Sequence, residues 1–555
     1  MTAYLNALGL ICALGNDRQS VARTLFAGDT SCMRTESGWI PDRSLPVARV
    51  KDPLPAIPAE LARQSSRNNQ LLLAAALQIA PDIDQAIVRY GRDRIGVILG
   101  TSTSGIDEAS GGIASYLADQ RFPQSYDYRQ QELSAPANFL ASWLDLSGPA
   151  YVISTACTSS ARALLSARRL LDMNLCDAVL CGGVDSLCKL TVNGFSSLEA
   201  VSDERCNPFS RNRNGINIGE AAVLFLMTRQ ACASHRIALL GAGACSDAHH
   251  ISAPEPSGRG AREAMTKALS SAGLAATDIG YVNLHGTATQ HNDAMESLAV
   301  DAIFPDGVPC SSTKPMSGHT LGAAGALEAA FCWLALAPEN VERRLPPHVW
   351  DGEADTSLPA LSWVTANDIL HPHLPRPMMS NSFAFGGNNV SLILGEGGMT
   401  AGLSAPWAPA DLLPHAGDMV LIDEVLWFDE EQIHTRVTVR AGGLFNRPDG
   451  SMPAWVGIEL MAQSVAAFAG CQARAKGAPV ELGFLLGTRK FECNVECFPV
   501  GSELTLHARR SLQDDSGMGV FECHLSGTGI QATARLNVYC PPQSASYLAE
   551  GAVHD

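Results

Sequence analysis

Between residues 1 and 396, short apolar runs alternate with longer segments rich in Ala and Leu. The short runs end in or near Gly, Ser or Thr, as buried strands do before a turn. They are "RIGVILGTS", "AYVISTA", "DAVLCGGV", "IGYVNLHG" and "NVSLILGEG". This alternation predicts a layered α/β architecture.

A different pattern begins after residue 396. Gly, Pro, Ala and Ser dominate residues 397–410, a composition typical of a linker. Residues 411–541 combine one strong helical pattern, 455–474, with alternating strand patterns around it. One helix wrapped by antiparallel strands predicts a separate α+β domain, and residues 542–555 have the composition of a loose tail.

One cysteine lies where a buried strand pattern gives way to a helix. In "VISTACTSSARALL", residues 152–165, a β-branched run ends before Cys157 and an Ala- and Leu-rich helix follows. Free cysteine is often a small apolar core residue, so packing is one interpretation. The alternative is a nucleophile, because the N–H groups at a helix N-terminus favour an anion and lower the pKa of a thiol.

Composition and charge narrow the function. A formal net charge of −17 disfavours nucleic acid and anionic membranes as partners. We expect no integral membrane segment, because no apolar run is long enough to span a bilayer. Sixteen cysteines without framework spacing favour the reducing cytoplasm.

The spacing that comes closest to a metal-binding motif is "FECNVECF", which contains Cys493 and Cys497. Its apolar and polar positions alternate with a period of two, which predicts a half-buried strand. We therefore expect no metal site there.

Three further segments carry candidate chemistry. "NLHGTATQHND", 283–293, places His285 at the end of a strand pattern, with two threonines close behind. "KPMSGHTLGAAGALE", 314–328, holds a lysine, a histidine five positions later and a glutamate fourteen positions later. "SNSFAFGGNN", 380–389, is an aromatic loop with paired glycines.

With these motifs in this order, residues 1–396 resemble the elongating β-ketoacyl-acyl-carrier-protein synthases of the thiolase-like superfamily. "NPFSRNRNGINIGEAA" and "CSDAHHISAPEP" add to the resemblance. It implies an acyltransferase that joins an acyl thioester to malonyl-carrier protein by decarboxylative Claisen condensation. The implied pathway is fatty-acid-like or aryl polyene biosynthesis.

The resemblance also implies roles for five side chains. Cys157 would be the nucleophile that is acylated, since a thiolate attacks thioesters. His285 and His319 would stabilise the enolate that forms when CO2 leaves, because two N–H donors suit the developing charge. Lys314 would pair with Glu328 and shape the field around His319.

The resemblance extends to the substrate's carrier. The backbone N–H groups of Cys157 and Phe385 would form the oxyanion hole, and Thr287 and Thr289 would hydrogen-bond to the phosphopantetheine arm. No tightly bound cofactor is implied, because the phosphopantetheine belongs to the acyl carrier protein.

The implied assembly is a homodimer or a heterodimer with a related synthase. Candidate arginines for docking the acidic carrier are Arg63, Arg67, Arg205, Arg211 and Arg213.

Three positions depart from the family pattern. Ala384 stands where glycine usually precedes the loop phenylalanine, so its Cβ restricts the backbone there. Ala288 lies within the "HGTGT"-like box, and Ser210 replaces the usual Asp. None of the three removes a catalytic group.

Three rival functions remain. A thiolase would need a second catalytic cysteine where this chain has "SNSFAFGGNN", and a plant-type polyketide synthase would pair Cys with His and Asn. A non-catalytic partner that sets chain length for another synthase would lack Cys157. The cysteine therefore favours the active synthase.

The second domain carries its own motifs. "LLPHAGDMVLIDEV" and "GSMPAWVGIELMAQSVAAFAG" resemble hotdog-fold 3-hydroxyacyl-carrier-protein dehydratases of the aryl-polyene type. Glu459 matches the carboxylate of the central helix, but Phe445 stands where better-known relatives carry their histidine. His415 is the candidate that remains for an acid–base pair. The alternative is a domain that serves dimerisation or carrier docking.

Overall fold

The computed structural model describes residues 2–397 and 407–540, apart from residues 233, 367, 371–376, 429–430, 476, 481–482, 515–516 and 528. The chain divides into two compact units, Met1–Met399 and Thr400–Asp555, each with its own sheets and hydrophobic core. The predicted linker, 397–410, lies mostly outside the described residues. The predicted tail, 542–555, lies entirely outside them.

The first unit alternates strands and helices. Its strands are β1 (Ala3–Cys12), β2 (Met33–Ile40), β3 (Arg43–Ala48), β4 (Ile95–Gly100), β5 (Ala150–Ile153), β6 (Ala178–Asp185), β7 (Ala221–Thr228), β8 (Ile237–Ser246), β9 (Tyr281–Asn283), β10 (Pro309–Ser311), β11 (Ser362–Trp363), β12 (Met378–Ala384) and β13 (Asn388–Glu396). Its helices are α1 (Arg18–Phe26), α2 (Arg67–Gln78), α3 (Ala80–Tyr90), α4 (Ile106–Asp119), α5 (Ala135–Trp143), α6 (Ser159–Asp172), α7 (Lys189–Ser197), α8 (Arg259–Ala272), α9 (Gln290–Ile303), α10 (Lys314–Ser317) and α11 (Ala324–Leu336). The five apolar runs quoted above correspond to β4, β5, β6, β9 and β13.

Eleven of these strands form one sheet, in the order β11-β10-β9-β12-β13-β8-β1-β7-β6-β4-β5. Strands β4, β5 and β6 pair in parallel, as do β9, β10, β11 and β12. The two halves of the sheet meet at β1 and β8, which share two register pairs, Ala3 with Leu239 and Tyr4 with Ala238. So short a junction lets the halves turn away from each other and enclose helices.

Helices α6 and α11 are those enclosed helices. They contact each other, and each contacts strands from both halves of the sheet. Helix α11 is apolar and buried around most of its circumference, as expected for a central-layer helix. Helices α2, α3 and α5 cover the outer face of one half, and α8 and α9 cover that of the other. The predicted layered α/β architecture is confirmed.

Within the described residues, no single helix is both long and apolar enough to cross a membrane. Helices α2 and α3, bent by 75° at their junction, meet the length and composition requirements only as a pair. In this fold α2 packs against β1 and β7, with Leu71, Leu72 and Leu73 in the core.

The second unit is built around one long helix. Its strands are β14 (Glu424–Phe428), β15 (Gln432–Thr438), β16 (Met452–Pro453), β17 (Phe484–Cys493), β18 (Cys497–Phe498), β19 (Glu503–Gln513), β20 (Met518–Gly527) and β21 (Ile530–Tyr539), and its helices are α12 (Pro409–Leu412) and α13 (Val456–Ala475). Six strands form an antiparallel sheet in the order β14-β15-β19-β20-β21-β17. Helix α13 packs on this sheet through Met461, Val465 and Phe468, as its spacing predicts.

One strand prediction in this unit is wrong. The alternation in "FECNVECF" predicts a single strand, but β17 ends at Cys493 and β18 begins at Cys497. Between them the side chain of Asn494 donates to the carbonyl of Gly529 and accepts from the N–H of Gln531. These bonds turn the chain, because an Asn side chain competes with the backbone for strand hydrogen bonds.

Candidate active site

Cys157 lies in a tight turn between β5 and α6. Ala156, just before it, has φ +55°, a left-handed conformation that is costly for a residue with a Cβ. Hydroxyl groups hold the turn: Ser159 accepts from the N–H of Thr155 and donates to the carbonyl of Ala156, and Thr158 donates to the carbonyl of Thr155. The "STACTSS" sequence therefore supplies the bonds that keep the sulfur at the start of a buried helix.

His285 follows β9 and is held by a carboxylate that sequence reasoning missed. Glu296, on α9, accepts the backbone N–H of His285 at 2.8 Å and that of Gly286 at 2.7 Å. Asp293, one turn earlier, accepts the N–H groups of Phe209 and Ala288. Both carboxylates are buried. Two acids three positions apart lie on the same face of a helix, and this spacing is the signal that was available in the sequence.

His319 comes from the segment after α10. Its backbone N–H donates to the carbonyl of Asn217 at 2.7 Å, and Gly318 before it takes φ +67°. Lys314, in α10, donates to the backbone carbonyl of His285 and pairs with Glu328 of α11. The structure therefore joins Lys314 to both the His285 loop and the helix that follows His319.

A third buried carboxylate, which the sequence analysis also does not predict, holds the segments around this site together by hydrogen bonds. Asp185, at the end of β6, accepts from both the hydroxyl and the N–H of Thr103, and from the hydroxyl of Thr101. It also accepts the N–H of Gly322 at 2.6 Å, in the turn that leads into α11. The end of one sheet half is thereby fixed to the start of the central helix.

These elements bring three reactive side chains together. The Sγ of Cys157 lies 2.9 Å from Nε2 of His319. The rings of His285 and His319 meet edge to face, with centroids 5.4 Å apart. The sulfur and one nitrogen of each imidazole all lie within 4.8 Å of one another. All three residues are buried.

Burial and Lys314 set the charges of this cluster. Burial raises the pKa of the Cys157 thiol to about 12, and the ammonium of Lys314 only partly opposes this. The expectation that the helix N-terminus leaves this thiol with a lowered pKa is therefore wrong for the unliganded site. Burial, followed by the charge of Lys314, holds the pKa of His285 and that of His319 well below the usual value. The resting cluster at neutral pH is a thiol between two uncharged imidazoles.

The cluster opens into a cavity of about 630 Å³. Cys157, His285 and His319 line it, together with Thr287 and Thr289, whose hydroxyls lie 3.0 Å apart. Phe385 lines it as well and packs against Phe195 with ring centroids 5.6 Å apart. His250, His291 and Arg213 also contribute to the wall. The cavity thus contains the residues predicted for the nucleophile, the enolate donors, the pantetheine contacts and the oxyanion loop.

The three departures from the family pattern have different consequences. Ala384 ends β12 with an ordinary extended backbone, so its Cβ is accommodated. Ser210 is buried and donates to Asp351. Ala288 has φ +61° and is fully buried, so this alanine adopts a conformation that glycine adopts more easily.

Two of the five predicted docking arginines have structural roles instead. The guanidinium of Arg213 is buried and pairs with Asp355 at 2.6 Å. Arg67 pairs with the buried Glu220 and donates to the carbonyl of Val50. Their prediction as surface docking residues is corrected, because both charges are already compensated inside the protein. Those that remain exposed are Arg63, Arg205 and Arg211.

The second unit has a smaller cluster around α13. Nε2 of His415 lies 3.8 Å from Oε1 of Glu459. Gln463, one turn further along the helix, donates to the same Glu459 oxygen at 2.9 Å. The structure thus brings together the two residues predicted as a pair. Phe445, where a histidine was expected, packs edge-on against Trp455 with ring centroids 6.0 Å apart.

Comparison with known protein families agrees with this arrangement. Residues 7–233 match the β-ketoacyl synthase N-terminal domain, and residues 237–348 match its C-terminal domain. A 3-oxoacyl-[acyl-carrier-protein] synthase 2 of Synechocystis is 30% identical over 60% of this chain and 82% of its own length. The chain belongs to the β-ketoacyl synthase family. The predicted resemblance, the thiolase-like fold and the acyltransferase class are thereby confirmed.

Other proteins similar to this β-ketoacyl synthase agree with the family assignment. The 3-oxoacyl-[acyl-carrier-protein] synthase 2 of Coxiella burnetii is 28% identical over 70% of this chain and 97% of its own length. One chain of a solved complex, the ketosynthase ApeO with its chain length factor ApeC from Xenorhabdus doucetiae, matches over 71% of this chain and 98% of its own length, at 47% identity and a TM-score of 0.67. Residues 407–549 match the ApeP dehydratase family, which agrees with the predicted hotdog-type domain.

Proposed function

We propose that the synthase domain, residues 1–396 of the first unit, condenses an acyl thioester with a malonyl-type thioester and releases CO2 and a β-ketoacyl thioester. The observation that carries this proposal is the Cys157, His285 and His319 cluster, whose reactive atoms lie within 4.8 Å of one another in one cavity. A nucleophilic sulfur beside two neutral N–H donors suits both halves of such a reaction.

In the first half-reaction, the acyl group moves onto Cys157. Neutral His319, with its Nε2 at 2.9 Å from Sγ, takes the thiol proton as the sulfur attacks the acyl carbonyl. The backbone N–H groups of Cys157 and Phe385 would receive the oxyanion. When the tetrahedral intermediate collapses, the C–S bond to the carrier breaks, and the carrier thiolate leaves with the proton from His319.

In the second half-reaction, the extender loses CO2. The electrons of the broken C–C bond pass into the thioester and form an enolate, whose oxygen would be held by N–H groups of His285 and His319. The enolate carbon then attacks acyl-Cys157 and frees the sulfur. His319 must therefore accept at Nε2 in the first half and donate from it in the second. Within the described chain, Nδ1 of neither ring has a hydrogen-bond partner, so no bond locks one tautomer.

Lys314 and Glu328 act on this chemistry without touching the reacting atoms. The Lys314 ammonium adds to the effect of burial in lowering the pKa of both imidazoles, and its bond to the carbonyl of His285 fixes the loop that carries that ring. An uncharged imidazole is needed because a protonated His319 has no lone pair to accept the thiol proton. Glu328 balances the buried ammonium.

The proposed donor and extender are thioesters of an acyl carrier protein, in fatty-acid-like or aryl polyene biosynthesis. Thr287 and Thr289 line the cavity where a phosphopantetheine arm would enter.

The exposed arginines Arg63, Arg205 and Arg211 would contact the acidic carrier protein. The proposed compartment is the cytoplasm, because sixteen cysteines without framework spacing suit a reducing environment. The proposed assembly is a dimer with a second copy or with a related synthase.

A non-catalytic partner that sets chain length is the alternative. It has some support, because the solved complex with ApeO contains a chain length factor. The intact cluster around Cys157 favours condensation.

Reconstitution with an acyl carrier thioester and malonyl-carrier protein tests the choice. We expect CO2 and a β-ketoacyl thioester from the full chain and none from Cys157→Ala. Equal product from both proteins would refute the proposal.

We also propose a 3-hydroxyacyl dehydratase activity for the hotdog-type domain, residues 411–541 of the second unit. The observation that favours it is the His415–Glu459 pair, since dehydration needs one group for the Cα proton and another for the leaving hydroxyl. The condensation product is a ketone, so a separate ketoreductase must act before this unit. Incubation of the full chain with a 3-hydroxyacyl carrier thioester tests the activity, and absence of enoyl product would refute it.

A further inference from the structure

We propose that the acid–base pair of the second unit is complete within one chain, with Gln463 as the residue that positions it. This inference rests on the dehydratase activity proposed above. It means that no residue from a second copy is needed to complete the site. The observations that carry it are the anchors that hold the His415 segment against the helix that carries Glu459.

The segment that leads to His415 is fastened to the C-terminal half of α13. Leu412 and Leu413 are buried in the core of the unit. A Cβ on Gly470 would lie 2.2 Å from the carbonyl oxygen of Leu412, so the absence of a side chain there permits the close approach. Arg474 donates to the carbonyl of Asp411 at 3.3 Å.

The segment after His415 is fastened to the same helix by Gln463. This side chain is fully buried and donates to the carbonyl of Met419 at 2.8 Å. Its oxygen accepts the N–H of Leu421 at 2.9 Å, and its NH2 group also donates to Glu459. Gln463 therefore ties the loop that carries the imidazole to the carboxylate. His415 is bracketed on both sides by contacts within its own chain.

The other described histidines of this unit lie elsewhere. His434, His507 and His524 occupy directly opposed positions on β15, β19 and β20, and their rings stack in a row. Their strand neighbour Thr435 bonds to Ser464 of α13, and alternate residues point to opposite faces of a sheet. The row is therefore on the face away from α13, which leaves His415 as the described imidazole beside Glu459.

The pair is open to a substrate and can complete the reaction alone. Its side chains are 30% and 32% exposed. One member takes the proton from Cα, and the other delivers a proton to the β-hydroxyl. The Cβ–O bond breaks, the C=C bond forms and water leaves. A water molecule, such as the one released, then relays the proton from the member that took it to the member that gave one, because Nε2 and Oε1 at 3.8 Å are too far apart for direct transfer. This restores the starting state.

Mixed assemblies of full-length chains test the inference. His415→Ala and Glu459→Gln chains with different tags are co-expressed, and the species that carries both tags is assayed with a 3-hydroxyacyl carrier thioester. We expect each single variant to lose at least about 100-fold in rate, and the mixed species to show no recovery. Recovery to about half of the wild-type rate, as a site shared between two copies would give, would overturn the inference. Failure of the tags to associate, with an active wild type, would support it.

Two further variants, Gln463→Leu and His524→Ala, test the positioning role of Gln463 separately from the dehydratase activity itself. Gln463→Leu should lower kcat at least about tenfold with KM nearly unchanged, because it misplaces the pair without removing either member; an unchanged kcat would overturn the positioning role. His524→Ala is the matched control and should keep the wild-type rate. An inactive wild-type chain would refute the dehydratase proposal and this inference with it, whereas an active chain with recovery in the mixture would refute the inference alone.

Discussion

Lys314 donates a hydrogen bond to the backbone carbonyl of His285, 29 positions away in the sequence. The same ammonium pairs with Glu328, and it is buried. One charged group thus fixes the loop of one imidazole and sets the field around both. The consequences of this contact can be measured separately from the chemistry of Cys157.

Replacement of the whole pair should alter the pH dependence of condensation without unfolding the protein. The double variant Lys314→Met, Glu328→Leu removes both buried charges, a change that is often neutral or stabilising. In the wild type, the pKa of both imidazoles lies well below the usual value, so protonation of these rings should not lower the rate as the pH falls through 6.5. Without the ammonium their pKa rises, and the acidic loss of rate should move to higher pH.

Replacement of Lys314 alone should destabilise the protein, in contrast to replacement of the whole pair. Lys314→Met alone leaves Glu328 buried without a partner and should cost about 3–5 kcal/mol of unfolding free energy. Lys267→Ala, which breaks an exposed pair with Glu263, should cost less than about 1 kcal/mol and serves as the control. For the pH prediction above, the condensation rate is measured against pH. A loss of rate at the same acidic pH in the wild type and the double variant would contradict the role of Lys314.

The two histidines should differ in the first half-reaction. Nε2 of His319 is the nitrogen that lies 2.9 Å from the sulfur, so His319→Ala should slow acylation of Cys157 by about 10²–10⁴-fold. His285→Ala should acylate at close to the wild-type rate. Both variants should fail to condense. Rapid-quench measurement of acyl transfer checks this, and equal acylation rates in the two variants would contradict the base role of His319.

Much of this site follows from sequence pattern, but its charge state does not. The strand, turn and helix around Cys157 follow from a β-branched run, a cluster of hydroxyl residues and an Ala-rich segment. The raised pKa of the thiol depends on burial by chain segments far away in the sequence, which no local pattern contains. Glu296 and Asp293 were missed because a helix carboxylate is usually exposed, and only the fold aims both at the His285 loop.

Element boundaries, too, are predictable where they depend on local pattern and not where they depend on contacts with distant residues. The long helix predicted at 455–474 is α13, Val456–Ala475, because its apolar spacing is continuous over five turns. The sequence "FECNVECF" predicts one strand, since its alternation hides the turn that Asn494 makes through contacts near Gly529. The sequence alone does not reveal the internal ion pairs of Arg67 and Arg213, because their acidic partners, Glu220 and Asp355, are more than 100 residues away.

Ala288 should be a site where glycine stabilises the protein. Its φ of +61° is strained for alanine, and relief of that strain should raise the unfolding free energy by about 1 kcal/mol. Ala299, a buried residue inside α9, is the matched control, and Ala299→Gly should lower stability by about 1 kcal/mol or more. Denaturant unfolding compares the two, and destabilisation by both would contradict the argument.

The carrier should recognise the arginines that remain exposed. Reversal of Arg63, Arg205 and Arg211 to Glu should raise the KM for carrier-bound substrates by about tenfold at low salt, with a smaller effect at high salt. Arg23→Glu, on α1, is the matched control and should leave KM unchanged. Steady-state kinetics across ionic strength checks this. A triple reversal with unchanged KM would exclude the proposed docking surface.

The measurement that tests the account most directly is the mass of the full chain after incubation with an acyl carrier thioester, followed by peptide mapping. The account predicts one acyl group per active chain, attached to Cys157, and none on the Cys157→Ala protein. An adduct mapped to another of the sixteen cysteines would contradict it. So would a protein that condenses without acylation of Cys157.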